Sequence, residues 1–584
     1  MAAKRLVRLR TPSTMRAMPP QLGSRRLLVS LGAFAVATAW LLVRIEDYDL
    51  WFHLLIGKEV VRTGHIPATE FYVYPALGAA SGFHEWGFGV LSYLVERVGG
   101  MWGLSLLNAA LGAGALTLLA AASVRRGGSW WAALALLGPV SLFCAYRFCY
   151  RPEGVLYLAM GATIYCLERR WFFAVPVLTA ALALFHPSPL ILLLVFGCYA
   201  IDLAWEARRQ PKRIALLFAV MVGSIATIAV VPYGLHQLTL PIEFTLRGDL
   251  TKSIAEFLPT LSTAKRWHFL VLALAAVAAV ALNRSRRASD VLLVAGFGYL
   301  AFSHVRNVPL LALVAYGPGA VALTRAGANS AGFKRWAATA ATASVATALF
   351  LASPAWGAGE VPAKAPARTA DFVEEFRPRG RILNALHTGG YLAWRLFPAY
   401  LVAADGRTYY GESLGLRFST DVLLARDGWR EAVRAQGVTM ISTPGVQPSQ
   451  GTLIPIVAEL DSDPEWALVV TEPAGMLFVR REALPRGAVE IPKSDIWKQV
   501  LAEAGAVMEV EALAMPPSAF FSRGVALFKP HDFVHAEQAL AKYVRLAPQD
   551  VEAAQFARVL QAGLRGEPEA QAIVEEMYRR GRGL

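Results

Sequence analysis

Acidic side chains and a histidine crowd one short stretch of the chain, residues 44–71, which directly follows the first long apolar run. Three carboxylates stand close together there, at Glu46, Asp47 and Asp49, and His53 follows them. A carboxylate held against a substrate hydroxyl group can remove its proton and so act as a general base. The residue types of this stretch therefore indicate acid–base chemistry, with Asp47 and Asp49 as the candidate catalytic residues.

A structural interpretation of the same stretch is an acidic helix cap. Asp49 precedes LWFHLLIGKEVV, in which apolar residues recur with helical spacing. Aspartate is favoured at an N-cap, where its side chain accepts hydrogen bonds from the first turn and its charge suits the helix dipole. The cap accounts for Asp49 but does not require an acid at position 47. Asp47 is therefore slightly preferred as the base.

Further ionisable residues occur at the ends of other apolar runs, in YRFCYRPEG, FHPSP, SHVRN and the loop that begins VPYGLHQ. Such groups are costly at membrane depth and usually face a cavity or a partner, and arginine is well suited to hold a phosphate. A single arginine at the end of a span could instead extend to the lipid headgroups. The candidate substrate-binding residues are Glu46, His53, His84, Glu85, Arg151, Arg247 and Arg306.

The composition is that of a membrane protein. Of the 584 residues, 55% are hydrophobic and 17% are charged, whereas soluble chains average about 45–50% and about 25%. The hydrophobic residues form runs long enough to cross a bilayer, and we expect about eleven spans. Their approximate ranges are 27–44, 102–123, 129–146, 153–167, 171–185, 189–205, 214–231, 267–283, 288–303, 308–324 and 337–352.

The basic residues between these runs predict the orientation. The formal charge is +14, and much of the excess lies in connections that face the cytoplasm if the basic N-terminus, 1–26, is cytoplasmic. This enrichment is typical of membrane proteins, so the charge does not call for a nucleic-acid partner. We expect a multi-pass membrane protein, with loop 45–101 and the chain beyond 353 on the outer side.

The composition changes after the membrane part, 27–353. Residues 354–369 are rich in small residues and proline, which predicts a linker. Strand and helix patterns alternate over 370–490, which predicts a small α/β domain with a partly parallel sheet. Residues 491–584 resemble tetratricopeptide-like helix pairs, which could dock a protein partner.

Within the α/β domain, RILNAL, YLVAAD and VTMIST are predicted strands, and WALVVTEPAGMLFVRR is a predicted hairpin. Asp405 and Arg407 follow the YLVAAD strand, at the carboxyl end where open α/β sheets place ligands. Asp405-Gly406 is also an ordinary turn dipeptide. The sequence leaves both interpretations open.

Several motifs together resemble the GT-C superfamily of membrane glycosyltransferases. EDYDLWFHLLIGKEVVRTGHIP followed by FHEWG is similar to the first outer loop of a group of bacterial polytopic membrane proteins that look like members of this superfamily. RFCYRPE, VPYGLHQLTLPI and GGYLAWRLFPAYLVAADGR resemble further motifs of that group. Three positions depart from its pattern: Tyr48 replaces a proline, Phe52 replaces a tryptophan, and Pro232 follows a valine instead of an asparagine.

Together with the patterns above, the resemblance implies a mainly α, polytopic helical protein of the bacterial inner membrane, with a soluble C-terminal α/β domain and a helical-repeat tail. It implies transfer of a sugar from a polyprenyl-phosphate-type donor to a lipid or protein acceptor on the outer face of the membrane. In such enzymes acidic residues of the first outer loop deprotonate the acceptor or hold a divalent metal. By position these residues are Asp47 and Asp49, with Glu46 behind them.

The alternative is a non-enzymatic envelope assembly or scaffold protein whose helical tail binds a partner. A transporter is less favoured, because the polar residues cluster at one face of the membrane. A metal ion, if one is used, would be a hard ion such as Mg²⁺ or Mn²⁺ on carboxylates, although nothing in the sequence requires it. The four cysteines lie in or beside apolar runs and indicate neither a disulfide framework nor a metal site.

Overall fold

The computed structural model describes residues 30–35, 37–39, 41–246, 255–263, 265–283, 287–328, 330–332, 357, 359, 365–407, 412–447, 453–496, 499–500, 502–503, 533–546 and 551–579. Over these residues the chain is mainly helical and contains one small sheet. The predicted span at 337–352 lies outside the described residues, and so does the candidate residue Arg247.

The part of the chain before residue 333 is helical. Its helices are α1 (Ser30–Ala39), α2 (Leu50–Thr63), α3 (Trp86–Arg125), α4 (Trp130–Cys144), α5 (Glu153–Glu168), α6 (Ala174–Phe185), α7 (Leu190–Glu206), α8 (Pro211–Ala229), α9 (His236–Leu246), α10 (Arg266–Leu282), α11 (Ala288–Ser303) and α12 (Val308–Leu323). Three described helices are long and apolar enough to cross a membrane: Trp86–Arg125, Pro211–Ala229 and Val305–Gly327. Other apolar helices are shorter, so length and composition indicate a membrane protein without fixing the number of spans.

The helix α3 joins two segments that the sequence divides. Residues 86–100 are weakly apolar and predict a helix lying along the membrane interface, whereas 102–123 predict a span. The structure makes them one helix with a local break at Gly100, whose φ of 57° and ψ of −155° suit glycine. Val98 and Trp102 beside the break are exposed, as expected for side chains at a lipid surface.

The helices α2 and α3 cross at a pair of glycines. A Cβ added at Gly57 would lie 2.0 Å from the carbonyl oxygen of Gly89, so no side chain fits there. The close approach places His53 of α2 beside Glu85, which directly precedes α3, with 3.8 Å between Nε2 and Oε2. Two candidate residues that are distant in the chain therefore become neighbours.

The α/β unit contains four strands, β1 (Arg381–Asn384), β2 (Val438–Thr443), β3 (Trp466–Glu472) and β4 (Gly475–Arg480). Their order in the sheet is β1-β2-β4-β3; β1 and β2 are parallel, and the other two pairs are antiparallel. The helices are α13 (Ala367–Phe376), α14 (Leu386–Leu396), α15 (Glu412–Leu423), α16 (Trp429–Ala435) and α17 (Pro455–Ser462). The predicted partly parallel sheet is therefore present.

The prediction of a strand over YLVAAD is wrong. Within the described residues Val402 forms only isolated bridges, to Ile382 of β1 and to Val73 of loop 45–101, which we call the outer loop after its predicted side. The side chain of Asn384 provides the next backbone partners, because its Oδ1 accepts from Ala403 N and its Nδ2 donates to Ala404 O, each at 2.8 Å. A side-chain amide thus replaces the hydrogen bonds that a neighbouring strand would make.

The outer loop and the α/β unit share one hydrophobic core. Phe52 and Ile56 of α2 lie in the same buried cluster as Tyr391 and Leu392 of α14. On the other side of the sheet, the core includes Ile496 and Val500, beyond the predicted boundary at 490. The α/β unit therefore packs directly against the outer loop.

The described part of the tail contains α18 (Phe533–Leu546), α19 (Val551–Leu564) and α20 (Pro568–Arg579). These three helices enclose a small core of their own, which includes Leu540, Phe556 and Val574. The consecutive helices pack on each other, as in the predicted helix pairs.

Candidate functional site

Asp49 occupies the N-cap position of α2, but its side chain makes no capping hydrogen bond. Its backbone N–H instead donates to Asp47 Oδ1 at 2.9 Å. The interpretation of Asp49 as a helix cap is therefore wrong, since its carboxylate accepts no hydrogen bond from the first turn of the helix. The side chain is left for another role.

Arg151, which lies in the loop before α5, contacts both aspartates. Its guanidinium binds Asp47 through both oxygens, by Nε to Oδ2 and by Nη2 to Oδ1. The same Nη2 lies 3.0 Å from Asp49 Oδ2. The other oxygen of Asp49, Oδ1, is buried and has no hydrogen-bond partner within the described chain. Both oxygens of Asp47 thus have hydrogen-bond partners, whereas one oxygen of Asp49 has none within the described chain.

Two further arginines extend this network. Arg147 and Arg306 both bind Glu153, the first residue of α5, and Arg306 does so at 3.1 Å between Nη2 and Oε1. Glu256 contacts Arg147 at 2.5 Å, Arg151 at 3.1 Å and Arg306 at 3.3 Å. Three cations and several carboxylates therefore meet in one connected ionic cluster.

A polar cavity of about 280 Å³ lies against this cluster. Its walls combine carboxylates, arginines and aromatic rings, a set that can donate to and accept from hydroxyl groups and pack against a flat apolar face. The principal lining residues are Asp49, His53, His84, Glu85, Arg151, Glu153, Glu256, Arg306, Phe52, Phe83, Trp86 and Phe257. Predicted site residues from the outer loop and from the span ends thus meet around one space.

A second cavity, of about 540 Å³, adjoins the first; fewer charged and more aliphatic side chains line it, and we call it the apolar cavity. It lies between α7, α9, α11 and α12, and its walls include Leu194, Leu240, Ile242 and Leu310. The two cavities share the wall residues Glu85, Glu153, Pro187, Phe257 and Arg306. A single ligand with a polar head and an apolar tail could therefore extend from one cavity into the other.

Burial sets the protonation state of two carboxyl groups of the outer loop, those of Asp49 and Glu85. Burial raises the pKa of Asp49 to about 8, although the neighbouring Arg151 lowers it. Burial also raises the pKa of Glu85 to about 8, with Glu153 adding to the effect. Both groups thus retain protons at neutral pH, and their pKa values lie in the range useful for general acid–base catalysis.

Two histidines of the outer loop, His53 and His84, are neutral. Burial lowers the pKa of His53 to about 3, and the nearby Arg151 lowers it further. Burial and His236 lower the pKa of His84 to about 4. The ring of His84 lies 4.2 Å from that of Tyr233, whose hydroxyl accepts from Phe83 N. Neutral imidazoles can offer one donor and one acceptor each to a polar ligand.

The turn 405–407 of the α/β unit closes one side of the polar cavity. Arg407 lines it and binds Glu70 at 3.0 Å and Asp405 at 2.8 Å. Tyr72 also donates a hydrogen bond to Asp405. Sequence reasoning selected neither Glu70 nor Tyr72, and the only signal for the turn was the ambiguous Asp-Gly-Arg motif.

The turn also touches the candidate base. A Cβ added at Gly406 would lie 2.0 Å from Asp49 Oδ1 and 3.3 Å from the ring of Phe52. Only a glycine lets the backbone approach the carboxylate so closely. The α/β unit therefore helps to set the position of Asp49.

The predicted site residues do not all reach the cavity. Asp49, His53, His84, Glu85, Arg151 and Arg306 line it. Asp47 lies behind Arg151, and Glu46 is exposed. The order of preference between the two aspartates consequently changes in favour of Asp49.

The described residues do not fit a carboxylate-held metal ion. Among them, no group of three or more His, Cys, Asp or Glu side chains is arranged to hold one. The space between Asp47 and Asp49, where a hard ion would bridge them, is taken by the guanidinium of Arg151. No chemistry is therefore assigned to a metal.

No model of a known protein family matches the chain, and no curated protein matches it.

Proposed function

We propose that this protein is a membrane glycosyltransferase of the GT-C type that takes its sugar from a polyprenyl-phosphate-type donor. The observation that supports this most is the pair of adjoining cavities, one richer in charged side chains and the other richer in aliphatic ones, with Arg306 and Glu85 in their shared wall. A lipid-linked sugar has the same division into a polar head, an anionic link and an apolar chain.

The parts of the donor are assigned by their chemistry. The apolar chain lies in the cavity between α7, α9, α11 and α12, where burial of hydrocarbon is favourable. The phosphate lies at Arg306 and Arg151, whose guanidinium groups suit phosphate oxygens. The sugar lies in the polar cavity among the aromatic rings and carboxylates.

Asp49 serves as the base in this proposal. Its carboxylate takes the proton of the acceptor hydroxyl, the acceptor oxygen bonds to the anomeric carbon, and the bond from that carbon to the phosphate oxygen breaks. The phosphate leaves with the electron pair, and the arginines stabilise its charge. Asp49 is preferred to Asp47 because it lines the cavity and retains an oxygen with no hydrogen-bond partner in the described chain.

The expected setting is the bacterial inner membrane, with about eleven spans and the site on the outer face. The arrangement of basic connections supports this orientation. The acceptor would be a lipid or a protein. A scaffold function would leave the buried carboxyl groups and the paired cavities without a use, so the enzymatic proposal is preferred.

A transfer assay with matched variants tests the proposal. Membranes containing the protein receive radiolabelled polyprenyl-phosphate sugars, and the label that leaves the donor lipid is measured. Asp49→Asn should lower transfer about 10²- to 10⁴-fold. Glu46→Gln, which changes an exposed acid of the same loop, should leave it unchanged. Full transfer by Asp49→Asn would remove the proposed base.

A further inference from the structure

Three arginines converge on one carboxylate in the wall of the polar cavity. Glu256 Oε2 lies 2.5 Å from Arg147 Nη1 and 3.1 Å from Arg151 Nη1, while its Oε1 lies 3.3 Å from Arg306 Nη1. A carboxylate needs one arginine to form a bidentate pair. Three guanidinium groups offer more donors than the two oxygens of one carboxylate can accept, and they suit an anion with more oxygen atoms, such as a phosphate.

Each of these arginines already has another carboxylate partner. Arg147 and Arg306 bind Glu153, and Arg151 binds Asp47. Glu256 is therefore an additional anion that all three share. Without it, three guanidinium charges would face two fixed carboxylates and Asp49, and burial raises the pKa of Asp49 to about 8. The remaining positive charge would favour an anionic ligand.

Glu256 also differs from the other carboxylates in its position. It belongs to a single turn of 3-10 helix, Ala255–Phe257, whereas Glu153 begins a long helix. Its side chain is 24% exposed, compared with 10% for Glu153 and 6% for Asp47. It faces the polar cavity, so a different rotamer of this side chain would point the carboxylate into that space and away from the arginines.

We propose that the Glu256 carboxylate occupies the binding site of a phosphate group, and that a phosphate ligand binds Arg151 and Arg306 by displacing it. Glu256 thus holds the arginines in place while the site is empty and competes with the ligand for them. The inference rests on the proposed function only in taking a lipid-linked sugar as the source of the phosphate. The anion site itself is defined by the three arginines.

Binding measurements on the purified full-length protein in detergent test this inference. The probes are inorganic phosphate and farnesyl phosphate, and the readout is the dissociation constant from calorimetry. Glu256→Gln removes the competing charge but retains the size of the side chain, so both probes should bind about tenfold more tightly or better. Glu243→Gln, which changes an acid paired with His236 on α9, should leave binding unchanged.

Two further variants complete the test. Glu256→Asp is too short to hold all three arginines and should tighten binding in the same direction, which covers the case in which the glutamine variant does not fold. Arg306→Gln should weaken both probes, with or without Glu256→Gln. Unchanged or weaker phosphate binding in the folded Glu256 variants would overturn the inference.

The two probes separate this inference from the proposed function. Tighter binding of farnesyl phosphate than of inorganic phosphate supports a lipid-linked source, because the apolar cavity adds affinity only for the lipid. Equal affinities, both tightened by Glu256→Gln, would support the anion site and contradict the lipid-linked donor. Sugar transfer without any gain in phosphate binding would contradict the role of Glu256 alone.

Discussion

At the scale of single residues, the carboxyl groups of the site differ in their hydrogen-bond partners. Asp47 is bound on both oxygens by Arg151, whereas Asp49 retains one buried oxygen without a hydrogen-bond partner in the described chain. Glu85 lies beside a neutral histidine, His53. The difference arises because one arginine cannot neutralise every acid around it, and it distinguishes a supporting acid from a reactive one.

The pH dependence of transfer tests the role of Asp49. The base must be ionised, and burial raises the pKa of Asp49 to about 8 even though Arg151 opposes this effect. Transfer by the wild-type protein should therefore rise about tenfold for each pH unit below 8 and level off above it. The measurement is kcat/KM between pH 5.5 and 9.5. A rate that is level from pH 6 would contradict the assignment.

The sequence predicted much of the site at this scale. The acids of loop 45–101 and the arginines at span ends were found because ionisable residues stand out against apolar runs. The choice between Asp47 and Asp49 could not be predicted, because it depends on how the guanidinium of Arg151 is turned. The contacts of Glu70 and Tyr72 with the turn 405–407 depend on the fold of a loop, and no sequence motif indicates them.

At the scale of elements, the turn 405–407 is positioned against the start of α2. The backbone at Gly406 lies so close to Asp49 that an added Cβ would be 2.0 Å from Oδ1. This contact joins the α/β unit to the proposed catalytic group. It also explains why a glycine is useful between Asp405 and Arg407, apart from its value in a turn.

Gly406→Ala tests that contact. The new methyl group should push the Asp49 carboxylate out of place and lower transfer about 10²-fold or more, since small displacements in a site are costly. The shape of the pH profile should change as well, because the surroundings of Asp49 change. The control is Gly99→Ala, where an added Cβ meets nothing within 4 Å. Normal transfer with an unchanged pH profile in Gly406→Ala would show that the contact has no role.

The membrane helices are also joined at the end opposite the site. Arg126 after α3 is buried and binds Asp290 of α11 and Glu168 of α5. In the sequence, Arg126 is one of the basic residues between apolar runs that predict the orientation. Its partners could not be foreseen, because they come from helices that are distant in the chain.

Replacing Arg126 should destabilise the helix bundle. Arg126→Gln leaves Glu168 and Asp290 without one of their cations, and removal of one partner from a buried ion pair costs about 3–5 kcal/mol. Thermal unfolding in detergent should show a clearly lower Tm. Arg125→Gln, at the exposed neighbouring position, should have little effect. Equal Tm values for the two variants would contradict a stabilising role for the Arg126 cluster.

At the scale of the whole molecule, the outer loop, the membrane helices and the α/β unit contribute to the same site. The mainly helical fold and the partly parallel sheet could be predicted from hydropathy and from the alternation of strand and helix patterns. The shared core between α2 and α14 could not, since it depends on packing between segments more than 300 residues apart. The pattern of YLVAAD likewise predicts a strand, because the sequence does not show that the Asn384 side chain makes the backbone hydrogen bonds of Ala403 and Ala404.

The central claim is that a lipid-linked sugar binds across the two cavities, with its phosphate at Arg151 and Arg306 and its hydrocarbon chain in the apolar cavity. A structure determined with bound undecaprenyl phosphate tests it most directly. The account predicts that the phosphate lies within hydrogen-bond distance of Arg151 and Arg306, with Glu256 displaced and the chain between α7, α9 and α11. A phosphate bound away from these arginines and from Asp49, or a lipid chain outside the apolar cavity, would contradict it.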